Sequence, residues 1–336
     1  MTPTVTFFNN KGGVGKTSLV YHLAWSYAEQ GKRVIAVDLD PQSNLSSFFL
    51  TETELETLWE DTSKPNTIYR CIQPLIKGTG DVLEPHLQEI ELEGLSVALL
   101  SGDLSLSQFE DDLATAWPES ADGKERAFRV LSAFWRIIQL AIKIYSADLV
   151  LIDIGPNLGS INRAVMISTD YLVIPLASDL FSVQGLRNLG PTLEKWRSQW
   201  QQRRELHTSR EFEVPTGKTE PLGYISMLHA ERISRPTLAY QRWLSRIPSV
   251  YQSEILRKNE VVDVPIERDP NRIGTLKHYR SLIPMAQEAR KPIFFLKPAD
   301  GVVGGHYYSV QDAHQDFQGL AKNILSRIPV ASVSGN

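Results

Sequence analysis

Thr4 to Phe8 is a short run of β-branched and aromatic residues, the make-up of a buried strand. A glycine-rich stretch follows, and then Leu19, Val20, Leu23, Ala24 and Tyr27 recur at helical spacing up to Gly31, which predicts a helix that stops there. Lys32 to Val37 reads as the next strand, and Leu149 to Asp153 is a wholly apolar run closed by a carboxylate, as in a strand buried on both faces. Leu95–Leu100, Tyr171–Pro175, Leu222–Met227 and Ile293–Leu296 are further predicted strands, and the polar stretch Trp117 to Lys124 is predicted to be an exposed loop. Near the end, Phe317, Leu320, Ala321, Ile324, Leu325 and Ile328 form one stripe at 3.6 spacing, predicted to close the core. Strands alternating with helices along almost the whole chain predict an α/β fold, a doubly wound and mostly parallel sheet flanked by helices. The 336 residues are expected to form one elaborated domain over 1–330, with a tail at 331–336.

Composition narrows the chemistry. The single cysteine, Cys71, can form no internal disulfide and supplies no cysteine-based metal site, so it reads as a small buried hydrophobe. The most apolar stretch, Phe134 to Ile154, is interrupted by Arg136, Lys143, Asp148 and Asp153, and the N-terminus runs straight into a strand, so a cytoplasmic protein is expected. The net charge of −4 argues against nucleic-acid binding until it is split along the chain. Residues 51–125 hold 17 acidic against 4 basic side chains, whereas 187–290 hold 18 basic against 12 acidic. The acidic elaboration at about 51–147 reads either as a solvated surface or as a docking face for a basic partner segment. The basic half at about 187–290 reads either as an ordinary surface or as a face for sequence-independent phosphate contacts, because no recognition helix is evident. Arg203, Arg204, Arg257, Lys258, Lys277 and Arg280 are its candidate DNA-binding residues.

The stretch between the first strand and the first helix is Asn9-Asn10-Lys11-Gly12-Gly13-Val14-Gly15-Lys16-Thr17-Ser18. Strand, glycine-rich turn and helix are the context of a P-loop, where backbone N–H groups converge on phosphate at a helix N-terminus. Lys16 is then expected on the β- and γ-phosphates and the Thr17 hydroxyl on Mg²⁺. Asn10 stands where the general motif has its first glycine, and Asn tolerates the left-handed backbone. Asp38 and Asp40 close the second strand, and Asp153 closes the strand at 149–153; all three are expected at the carboxyl ends of the strands, where open parallel sheets bind ligands. Gly155 and Pro156 are candidate pivots of a switch loop.

Lys11, a second lysine inside the loop, sharpens the motif. KGGVGKT resembles the deviant Walker A motif of the ParA/MinD family of P-loop ATPases, VDLDPQSN resembles the segment carrying that family's water-orienting aspartate, and DIGPNLG resembles its DxPPSLG switch. The resemblance implies catalytic roles for Lys11, Lys16 and Asp40, and nucleotide contacts from Lys11 to Ser18 and from Met227. Thr17, Asp38 and Asp153 are its implied Mg²⁺ residues. It further implies a homodimer closed on two Mg-ATP, with Lys11 reaching the partner's nucleotide, and non-specific DNA binding with nucleoid association in the ATP state. A ParB-like stimulating or cargo-adaptor protein is implied as well. Lys322 and Arg327 are the only basic residues around the final stripe, so a membrane step is not expected. The rivals are a MinD-like membrane-cycling ATPase and an ATP-dependent amide-forming ligase on the same scaffold. An electron-transfer ATPase needs two cluster cysteines per subunit, against the single Cys71.

Overall fold

A computed structural model describes residues 2–228, 238–277, 279 and 282–329 of the chain. Its centre is an eight-stranded sheet formed by β1 (Thr4–Phe7), β2 (Val34–Asp38), β3 (Gln88–Leu92), β4 (Leu95–Leu100), β5 (Leu149–Asp153), β6 (Tyr171–Ala177), β7 (Glu220–Leu228) and β8 (Arg272–Lys277). The spatial order is β3-β4-β2-β5-β1-β6-β7-β8, parallel throughout except for the edge pair β3 and β4. Every residue of β1, β2 and β5 is buried, which is why these segments read as unbroken apolar runs. Val34, Ala36, Leu149 and Leu151 face one layer of helices, while Ile35, Val37, Val150 and Ile152 face the other.

The first layer holds α1 (Lys16–Glu29), α2 (Asn44–Phe49), α3 (Glu52–Glu60) and the last long helix. The second is built from α4 (Ile68–Lys77), α5 (Phe109–Glu119), α6 (Glu125–Leu131), α7 (Ala133–Tyr145), α8 (Ser160–Ser168) and α9 (Leu180–Arg204). Short helices α10 (Leu238–Leu244), α11 (Ile247–Val250) and α12 (Leu282–Ala289) precede α13 (Gly305–Leu325). As expected, α1 stops just before Gly31, which takes a left-handed φ of 74°. The stripe Phe317, Leu320, Ala321 and Ile324 of α13 is buried against α1 and the sheet. No helix among the described residues is long and apolar enough to cross a membrane.

Three expectations need correction. Ile293–Leu296 is not a strand: Ile293–Phe295 is a 3-10 turn after Pro292, and the Ile293 N–H is taken by His22 Nε2 at 3.1 Å, not by a sheet neighbour. The edge is instead β8, hidden in the sequence because RIGTLK buries only Ile273 and Leu276. The stretch 117–124 is exposed over Pro118 and 121–124 as expected, but it is helical as far as Asp122 and not a loop. α5 continues to Glu119, a 3-10 turn covers Ser120–Asp122, and both Trp117 and Ser120 are buried. Finally, the acidic elaboration contains an antiparallel hairpin that periodicity left unmarked. Glu93 and Gly94, with φ of 52° and 78°, turn β3 into β4, and Glu89 and Glu91 alternate outward to solvent. The expected tail at 331–336 lies outside the described residues.

Candidate active site

The parallel register sets the ends of three strands side by side. Phe7 of β1 pairs with Asp153 of β5, and Asp153 pairs with Asp38 of β2, so the loop leaving β1 opens directly beside two carboxylates. In that loop Gly13 and Gly15 carry left-handed φ angles of 72° and 88°, and α1 starts at Lys16. Asn10 does not use the left-handed backbone expected of it; the glycines supply the whole turn. Asn9 holds the loop from below, donating from Nδ2 to Pro175 O at 2.8 Å and accepting the Lys11 N–H at 2.9 Å. Lys16 is buried, with Nζ donating to Asn9 O at 3.2 Å. Burial lowers its pKa, while the negative charges of Asp153 and Asp40 act in the opposite direction.

Asp153 is completely buried and neither of its carboxylate oxygens has a hydrogen-bond partner. Burial pushes its pKa up to about 8, the nearby Asp38 charge adds to this, and the Thr17 hydroxyl, close by but short of hydrogen-bonding geometry, and then the Lys16 ammonium oppose it. Asp38, also raised by burial to about 7, is differently placed. Its Oδ2 accepts from Ser46 N–H at 2.8 Å and Ser46 Oγ at 2.7 Å, and its Oδ1 from Asp40 N–H at 3.2 Å. Asp40 lies past the end of β2, accepts the Gln42 N–H at 3.0 Å, and lies against Gly155, where an added Cβ would come within 3.2 Å of Asp40 Oδ1. The bare oxygens of Asp153 next to Thr17 fit a hard divalent cation such as Mg²⁺. Of the three residues expected on the metal, Asp38 is the one already satisfied by protein donors.

The switch segment is trussed by one side chain. Asn162 Nδ2 donates to Gly155 O at 2.7 Å and Asn157 O at 2.6 Å, while Pro156 lies against Gly12 of the P-loop. Gly155 and Pro156 therefore sit between the phosphate loop and Asp40. Lys11 pairs with Asp179, which also caps α9 by accepting Ser182 N–H at 2.9 Å. Partial burial works against the Asp179 charge, but Lys11 and the cap hold its carboxyl below the usual range. Met227 touches the P-loop, its Cε lying 3.2 Å from where a Cβ on Gly15 would stand. With Val14, Leu228, Leu276, Tyr279 and Ile283 it lines an apolar cavity beside the loop, suited to a flat ring.

The candidate DNA residues among those described do not form one patch on a subunit. Arg203 is spent internally: it donates to Trp117 O at 3.2 Å and Gln199 O at 2.9 Å and lies 4.5 Å over the Trp117 ring. Arg257 pairs with Glu194 at 2.6 Å. Arg204 lines a cleft with Asp170, which precedes β6, whereas Lys277 ends β8, so these two stand at opposite ends of the parallel sheet. Lys258 and Lys277 are exposed, and Arg280 lies outside the described residues. Asn9, Ser46, Asn162 and Asp179 were not expected in the site; single polar residues carry no periodic signal, and only the fold brings them to their partners.

A buried lysine at a glycine loop, facing strand-end carboxylates on a doubly wound sheet, defines a P-loop nucleotide-binding protein. A family model described as an AAA domain matches residues 2–207, and the chain belongs to that family, as a ParA/MinD-type P-loop ATPase. The chromosome partitioning protein ParA of Caulobacter vibrioides is 30% identical over 199 residues, 59% of this chain and 64% of that protein. The chain thus matches less than two thirds of the length of that relative. Among solved structures, protein DIP2308 from Corynebacterium diphtheriae has a TM-score of 0.67 at 24% identity, covering 97% of this chain and 99% of that one. The pNOB8 ParA bound to nonspecific DNA has a TM-score of 0.61 at 19% identity, covering 98% and 99%. Both share the fold.

Proposed function

We propose that this chain is a ParA-like ATPase that closes as a dimer on Mg-ATP, holds DNA without sequence preference and is released by hydrolysis, to partition or position DNA or another cargo with a ParB-like adaptor. The observation that carries this reading is the buried Lys16 at the P-loop beside the unpartnered oxygens of Asp153, with the second lysine, Lys11, on the same loop. Backbone N–H groups of Gly12 to Ser18 and the Lys16 ammonium hold the phosphates, and Met227 with the apolar cavity takes the base. Thr17 and Asp153 hold Mg²⁺, and Asp38 positions the Asp40 turn from behind. When bound, the metal offsets phosphate charge in transfer. Asp40 orients water, and Gly155 and Pro156, in contact with Asp40 and Gly12, respond to the γ-phosphate. Lys11 leaves Asp179 for the partner's nucleotide when the dimer closes. DNA binding is supported by the solved pNOB8 ParA complex and by the exposed lysines at 258 and 277.

Lys16→Ala should abolish ATP turnover and ATP-dependent DNA retention. Unchanged turnover in that variant overturns the reading. Asp40→Ala should still bind ATP and accumulate as a dimer on a sizing column.

A further inference from the structure

The acidic elaboration supplies a side chain to the switch. Glu110, in the first turn of α5, points its carboxylate at the N-terminus of α8, where Oε1 accepts the Ser160 N–H and Oε2 accepts the Ile161 N–H, the latter at 3.0 Å. These are two of the orphan donors with which every α-helix begins, the first two of α8, and the N-cap, whose side chain ordinarily takes the second or third, is here Gly159, which has no side chain. A carboxylate is also the charge that the helix dipole favours at this end. The fit is close: a Cβ on Gly159 would stand 2.7 Å from Glu110 Oε1 and 2.8 Å from Asn157 Oδ1, so the glycine leaves room for both side chains.

The anchored helix is the one that holds the switch. Asn162, one turn into α8, donates to Gly155 O and Asn157 O, and Gly155 lies against Asp40. A second tie lies a helical turn further along. Arg163 donates to Leu113 O of α5 at 3.3 Å and lies 4.3 Å over the ring of Trp117, which Arg203 of α9 also covers. α5 therefore fixes the start of α8 by its own carboxylate and the side of α8 by Trp117.

We infer that Glu110 is a positioning residue for hydrolysis, acting as the N-cap of α8 from another helix and so setting the switch loop against Asp40. This rests on the ATPase reading above. It gives one of the acidic residues of the 51–125 segment a defined task, and it makes α5 the route by which a partner on that segment would alter turnover.

Three arms test it. In Glu110→Ala, kcat should fall about tenfold with KM for ATP within about twofold, because the nucleotide contacts are intact and only the switch is misplaced. Hydrogen exchange over residues 155–163 should quicken in the same variant, while α1 keeps its protection. Glu110→Gln keeps an acceptor oxygen for one of the two N–H groups and adds nothing to the tight space at Gly159, so it should recover part of the kcat lost in Glu110→Ala. Exchange that is unchanged in Glu110→Ala overturns the inference, and so does a parallel loss of kcat and ATP affinity without rescue, which marks a general structural role. If the wild type itself turns over no ATP, the functional reading has failed, and the exchange arm still decides whether Glu110 holds the loop.

Discussion

His22 is buried completely in the middle of α1, its ring stacked 4.7 Å from that of Phe317 at an interplanar angle of 12°. Nδ1 lies 2.7 Å from Ser18 O, so that nitrogen carries the proton, and Nε2 accepts the Ile293 N–H. A second proton would face that N–H, and burial lowers the pKa to about 4. The unfolded chain takes up a proton near the ordinary value of about 6.5, so it binds more protons than the fold between there and about 4. Stability from this site is full above the upper value and falls with pH across the window, by about 3 kcal/mol in all. Asp38 and Asp153, with raised pKa values, act in the opposite sense across the whole of that window, so the His22 contribution is read from a difference between variants. The stability gap between wild type and His22→Phe, read from urea midpoints, should be widest above the window and narrow toward its lower end. A gap that stays constant with pH refutes the buried neutral ring. At this scale legibility follows sequence distance. Lys16, Thr17, Asp40 and Asp153 were legible because a motif or a strand end fixes their place. Asp179 was not, because its partner Lys11 lies 168 positions away, and Glu110 was not, because Ser160 is 50 positions away.

Among the elements, α9 shows how a long helix is fitted to its neighbours. Its 25 residues begin at the Asp179 cap that pairs with Lys11 and end at Arg203 and Arg204, and it packs along the turn Tyr251–Ile255. At the crossing stands Gly190, where an added Cβ would lie 2.0 Å from Glu254 O, a backbone atom that moves only with its whole segment. Gly190→Ala should therefore destabilise by roughly 2–4 kcal/mol, the overpacking cost outweighing the better helix former. Gly319 provides the opposite case. It sits within α13 with nothing within 4 Å of its added Cβ, so Gly319→Ala should stabilise by roughly 0.5–1 kcal/mol. Equilibrium urea unfolding of the two variants checks both signs, and a stabilised Gly190→Ala would contradict the observed crossing. Alternating and fully apolar runs revealed β1, β2, β4, β5, β6 and β7, because burial imposes a period. β3 and β8, at the two edges, face water on part of their surface and kept too few apolar positions to show one.

For the molecule as a whole, the charge split along the sequence overstates the basic face. Arg203 lies on Trp117, Arg257 pairs with Glu194, and Arg197 is bonded to Thr219 O, so these cations already serve the fold. Arg204 shares its cleft with Asp170 and Glu213, carboxylates that would repel a phosphate. Of the candidate DNA residues that are described, Lys258 and Lys277 remain: both are exposed, and Lys277 has only Asp312, 3.6 Å away, as an ion-pair partner among the described residues. Each lysine that reaches a phosphate displaces counterions and contributes about 0.9 to the slope of log affinity against log salt. Lys258→Gln with Lys277→Gln should accordingly weaken ATP-dependent DNA retention at low salt and flatten the slope by about 1.8 per subunit. Arg203→Ala should do the reverse, lowering the urea midpoint through lost packing on Trp117 while leaving the salt slope as it was. Filter retention of one duplex across a salt series, with urea unfolding of the same preparations, separates the two outcomes. A steep slope that survives in the double lysine variant would remove Lys258 and Lys277 from the DNA face.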